Sequence, residues 1–132
     1  MKPLLLVTAV LEAGIGISLL AVPSAVAQML LGVPLDEPAA LTVARVAGAA
    51  LLALGVVCWF ASFDAQSCAA RGVISAMTLY NLGAAIILGA AGIQSERAGI
   101  GLWPAVILHA AMTAWCVMNL LGQRHQNIEQ GR

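Results

Sequence analysis

Four long apolar stretches dominate the chain, and each carries at most one ionisable side chain. They span about residues 4–22 with Glu12, 39–61 with Arg45, 72–93 with no charge, and 101–121 with His109. A helix rises about 1.5 Å per residue, so roughly 20 residues cross the ~30 Å of hydrocarbon in a bilayer. Within lipid every backbone N–H and C=O must be satisfied internally, which selects helix over an open strand for such runs. The pattern predicts an all-α integral membrane four-helix bundle in a single domain, residues 1–132.

Short punctuated connections separate the runs. Pro23, Pro34 and Pro38 bracket the first, with Asp36 and Glu37 near its end; residues 62–71 form the second and 94–99 the third. Residues 24–32 (SAVAQMLLG) are too apolar for a solvated loop. They read as a short interfacial helix after a break at Pro23, or as a kinked extension of the first span. The tail after residue 122 is polar and reads as fraying.

Composition narrows the class. Of 132 residues, 61% are hydrophobic and 9% charged, with zero formal net charge. Mean hydropathy is +0.96. So few charges cannot cover the surface of a soluble monomer, and so apolar a chain is not disordered. A neutral chain has no basic face for nucleic acid. The bilayer is the partner that remains, with a homo-oligomer or partner membrane subunits expected beside it.

The positive charges give an orientation. Lys2, Arg71, Arg124 and Arg132 fall on the side shared by the N-terminus, the second connection and the tail, against Arg97 opposite. The positive-inside rule then places both termini in the cytoplasm. Ala25-Val26-Ala27 before Gln28 imitates a signal-peptidase site, but the apolar run is long for a signal peptide and Glu12 interrupts it. Retention as a spanning helix is the expectation. Cys58, Cys68 and Cys116 are odd in number and fall toward the cytoplasmic side, so free thiols are expected.

Candidate chemistry lies within the spans. Counting from the run ends puts Glu12, Asn81 and His109 roughly 12 Å deep and Arg45 roughly 9 Å deep. Polar groups from four helices therefore share one layer. A charge at the centre of a span costs about 2.5–3.5 kcal/mol on insertion scales, so a Glu12–Arg45 ion pair is expected, with Tyr80, Asn81 or His109 adding hydrogen bonds. The layer reads either as a ligand site or as a device that fixes helix register. His109, Met112 and Cys116 follow one another at helical spacing as a weak soft-metal stripe, equally well read as packing residues. No metal or other cofactor is assigned; a quinone and a haem stay open.

Small residues mark where helices approach. Ala9 and Ala13, Ala44 and Gly48, Gly55, and Ala85 and Gly89 form small-residue ridges, and Gly14 and Gly16 flank Glu12. The first two spans are expected to meet along these faces, bringing Glu12 toward Arg45. Residues 12–16 (EAGIG) faintly repeat at 81–85 (NLGAA), as in a two-plus-two duplication. No phosphate loop, zinc-protease motif or nucleophile elbow occurs, so no enzymatic activity is expected.

Taken together, Glu12-x-Gly14-x-Gly16, Pro23, Leu30-Leu31-Gly32, the stretch from Arg45 through Gly48 to Gly55, and Gly101-Leu-Trp-Pro-Ala resemble small bacterial four-helix inner-membrane proteins. In size and topology the chain is also loosely similar to the DoxX-like group, some members of which are tied to quinone-linked oxidation. That likeness implies a quinone or similar amphipathic ligand and transfers no catalytic residue. The leading expectation is a polar layer of Glu12, Arg45, Tyr80, Asn81 and His109 that binds a small hydrophobic or amphipathic molecule, lipid- or quinone-like. The alternatives are a non-catalytic accessory or structural subunit of a larger membrane complex, and a proton-coupled small transporter.

Overall fold

The computed structural model describes residues 1–95 and 98–130, with side chains through residue 122. It is 87% helical, with no strand among the described residues. The order is α1 (Lys2–Ala21), α2 (Pro23–Leu31), α3 (Pro38–Ala61), a 3₁₀ turn (Ser62–Asp64), α4 (Cys68–Gln94) and α5 (Leu102–Gln130). Four helices are long and apolar enough to cross a membrane: Lys2–Ala21, Pro38–Asp64, Cys68–Gln94 and Leu102–Gly122. The predicted spans are all present, each end within a few residues.

Local chemistry sets the ends. Pro3, Pro23 and Pro38 sit in the first turns of α1, α2 and α3, where a missing N–H costs nothing. Pro23 also stops α1, because its ring cannot follow a helical turn without meeting the carbonyl one turn back. Val22 takes up the break with φ −136° and ψ 57°. The segment after it is thus a separate helix rather than a continuation. α2 ends at Gly32, whose φ of 77° favours a residue without Cβ. α4 starts four residues ahead of the predicted run because the Ser67 hydroxyl caps it, accepting from the Ala70 N–H at 3.1 Å. The backbone of α5 stays helical to Gln130, so the polar tail does not fray where expected. Of the charges used for orientation, Arg97 and Arg132 lie outside the described residues, as does the side chain of Arg124.

Two tight helix pairs build the bundle, α1 with α3 and α4 with α5. In the first, glycine meets glycine. A Cβ on Gly16 would lie 2.7 Å from the Gly48 carbonyl oxygen and 2.7 Å from the Leu52 nitrogen, and one on Gly48 would lie 2.8 Å from the Gly16 oxygen. About two turns along α3 from Gly48, Gly55 rests against Ala9 and Ala13. These are the predicted small-residue faces. Lipid gives no hydrophobic drive between helices, so close backbone contact of this kind supplies the packing.

The filled core occupies the end of the bundle that holds the N-terminus. Leu4, Leu5, Ala9, Cys58, Ala70, Ile74, Met77, Met112 and Cys116 pack together there. At that end Met1 and Lys2 border the same cleft as Ala65, Gln66, Asn119 and Gly122, which brings the N-terminus, the second connection and the last turns of the fourth span to one side. The outer surface stays apolar. At most 33% of a span's hydrophobic window is buried, and only 11% in the fourth, leaving Val43, Phe60, Leu79, Ile86, Ile87 and Ile107 exposed. Such a surface suits acyl chains rather than water.

At the opposite end α2 folds back over the bundle, burying Pro23, Val26 and Ala27. Backbone hydrogen bonds hold it there: Gly101 N–H to Met29 O at 2.9 Å and Gly99 N–H to Leu30 O at 3.1 Å. The Leu35 N–H donates to the Ser24 hydroxyl at 3.1 Å, tying down the chain that leads to α3.

Candidate functional site

Between the filled core and α2 lies a cavity of about 160 Å³. Thr8, Leu11, Glu12 and Ile15 line it from α1, Tyr80, Asn81 and Leu88 from α4, Ala105, Leu108, His109 and Met112 from α5, and Leu30 from α2. Its wall is mostly hydrocarbon, with polar groups gathered at mid-span.

Helix geometry explains the gathering. Thr8, Glu12 and Ile15 recur at four and three residues and share one face of α1, while Ala9, Ala13 and Gly16 turn toward α3. On α5 the same spacing lines up Ala105, His109 and Met112. Glu12 is 6% exposed and Asn81 2% exposed, so both are deep inside the protein.

Two linked pairs furnish the polar side. Asn81 Nδ2 donates to the Met77 carbonyl at 2.8 Å, and Asn81 Oδ1 lies 2.8 Å from His109 Nδ1. Tyr80 is the polar neighbour of Glu12 along the cavity wall. Tyr80 also meets the His109 ring edge to face, with centroids 5.7 Å apart and planes at 85°. Glu12, Tyr80, His109 and Asn81 thus form one chain of contacts across three helices. No buried side-chain nitrogen or oxygen among the described residues lacks a partner.

The structure removes Arg45 from this set. It is exposed on α3, and among the described residues no ion pair joins it to Glu12. The glycine contacts give the reason. With Gly16 against Gly48 and Leu52, and Gly55 against Ala9 and Ala13, Glu12 is level with about Leu54. Arg45 lies about nine residues farther along α3, roughly 13 Å in axial rise. It sits level with the C-terminal end of α1, a depth from which a long guanidinium side chain can reach headgroups. The Glu12 carboxyl finds a phenol instead of a cation.

The soft-metal stripe also separates. His109 and Met112 border the cavity, but Cys116 is fully buried in the core beside Cys58, Met77 and Met112. Among the described residues no group of three or more His, Cys, Asp or Glu is placed to hold a metal ion. Cavities of about 150 Å³ accommodate one benzene-sized ring, which makes this one too small for a haem. Thr8 and the α2 residue Leu30 belong to the site and were not anticipated. Thr8 lies one turn before Glu12 on the same face, a spacing visible in the sequence, whereas nothing local shows that α2 folds back.

No family model, curated protein or solved structure matches the chain.

Proposed function

We propose that this protein is a bacterial inner-membrane protein, both termini in the cytoplasm, that holds one small hydrophobic or amphipathic molecule in the cavity between α1, α4 and α5. One observation carries this reading: Glu12, Tyr80, Asn81 and His109, in contact with one another, also border about 160 Å³ of space that none of them fills. Polar groups that served only to fix helix register would gain from closing that space, since a void forfeits dispersion contacts on every wall. An apolar wall with a few convergent polar groups is the usual build of a small-molecule site. The volume fits a single ring, such as the headgroup of a quinone or of its reduced quinol, or a short stretch of lipid chain. The loose likeness in size and topology to the DoxX-like group points to the same ligand class. With so much apolar surface on every span, the bundle works as an oligomer or beside other membrane subunits.

Native mass spectrometry of protein extracted in mild detergent tests the reading. The wild-type protein should carry a bound small molecule, and Ala105→Phe, which puts a phenyl ring into the cavity, should lose it while retaining its helical circular dichroism. A wild-type protein that carries no bound mass, or an Ala105→Phe protein that retains it, would overturn the proposal.

A further inference from the structure

We infer that the cavity selects ligands that donate a hydrogen bond, a phenol- or alcohol-type hydroxyl, over ligands that can only accept one. The inference rests on the cavity reading above and adds to it the polarity of recognition.

The argument starts at a backbone carbonyl. Met77 O can only accept, so the Asn81 atom 2.8 Å from it is the amide nitrogen, and the other amide atom is the oxygen. That oxygen lies 2.8 Å from His109 Nδ1. An oxygen acceptor there requires Nδ1 to be the donor, so the neutral ring carries its proton on Nδ1. Nε2 is then a bare lone pair. Among the described residues the ring makes no second hydrogen bond, yet no buried side-chain nitrogen there is without a partner. Nε2 is therefore accessible, and the space that His109 borders is the cavity. A quinone or ketone presents only acceptor oxygens and would set lone pair against lone pair. A quinol, phenol or alcohol presents the O–H that Nε2 needs. Tyr80, packed on the ring edge to face, and the Asn81 bond hold the imidazole in this orientation.

Para-cresol and anisole, isomers of equal formula that differ in having and lacking an O–H, are the probes. Binding to detergent-solubilised protein should favour para-cresol by about tenfold, the size of one buried hydrogen bond. In a His125→Gln background with ¹⁵N-labelled histidine, His109 should show protonated Nδ1 and bare Nε2. Para-cresol should move the Nε2 resonance toward the hydrogen-bonded range, and anisole should leave it in place. Asn81→Leu, which frees the tautomer, should reduce the preference while the protein keeps its helical circular dichroism. Equal affinities, tighter anisole binding or an Nε2-protonated ring would overturn this inference and leave the cavity reading standing. Failure of both probes to bind would overturn the two together.

Discussion

His109 and Asn81 are joined side chain to side chain between α5 and α4, Nδ1 to Oδ1 at 2.8 Å, in the middle of two membrane-length helices. The bond spans 28 residues of sequence and fixes the rotation of both helices about their axes. Asn81 is held a second time by its own helix through Met77 O, so the acceptor arrives already oriented.

Asn81→Leu should therefore lower stability by about 1–2 kcal/mol. Interhelical hydrogen bonds in membranes average about 0.6 kcal/mol, and leaving the His109 donor unpaired adds to that loss. Asn81→Asp should cost at least as much, since the carboxyl cannot donate to Met77 O and buries a charge. Unfolding titrations in mixed micelles measure both; equal stability of wild type and Asn81→Leu would show that the bond holds nothing.

The α1–α3 contact makes a sharper forecast because it contains its own control. An alanine methyl at Gly16 would meet the backbone of Gly48 and Leu52 at 2.7 Å, whereas one at Gly14 would meet nothing within 4 Å. Backbone cannot swing aside as a side chain does. Gly16→Ala should destabilise by about 1–3 kcal/mol, the usual range for overpacking. Gly14→Ala should be neutral or slightly stabilising, through the better helix propensity of alanine. Thermal melts of the two variants in one detergent decide the matter.

Much of this was legible before any coordinates, for reasons that differ by residue. Span number and length follow from backbone satisfaction in lipid, a constraint that acts on every residue of the chain. Gly16, Gly48 and Gly55 declared the α1–α3 face because few other roles explain small residues at that spacing inside a membrane. Glu12, Tyr80, Asn81 and His109 were legible as polar groups at one depth. Arg45 was misplaced because depth was counted from estimated run ends. Register is set by which backbones touch, and Gly16 against Gly48 moves Arg45 about nine residues away from the level of Glu12. The fold-back of α2 depends on backbone donors at Gly99 and Gly101, far away in sequence, and left no local pattern.

That correction has its own consequence. If Arg45 reaches the headgroups and Glu12 is served by Tyr80, the two charges act independently. Arg45→Met should leave stability within about 0.5 kcal/mol of wild type, like other exposed substitutions away from special contacts. In a double-mutant cycle with Glu12→Gln, the coupling energy should stay within about 0.3–0.5 kcal/mol, the additivity found for distant sites. A coupling of several kcal/mol would restore the ion pair and refute the register derived from the glycine contacts.

The cysteines offer a reading of both packing and orientation. Cys58 and Cys116 are buried and Cys68 is exposed, all as free thiols. Cys68 opens α4, at the end of the bundle where Lys2, Ala65 and Gln66 border one cleft. A maleimide should thus modify one thiol in the folded protein and all three once sodium dodecyl sulfate has unfolded it, counted by intact mass. If that end faces the cytoplasm, as the Lys2 and Arg71 charges propose, a membrane-impermeant maleimide should label inverted vesicles and spare intact right-side-out ones. Cys68→Ser should abolish the labelling in both preparations. Labelling confined to right-side-out vesicles would invert the topology without disturbing the bundle. Two or three modified thiols in the folded state would instead mean that the core joining Cys58 and Cys116 to Leu4, Leu5 and Met77 is open to reagent, and the packing of that half of the protein would have to be redrawn.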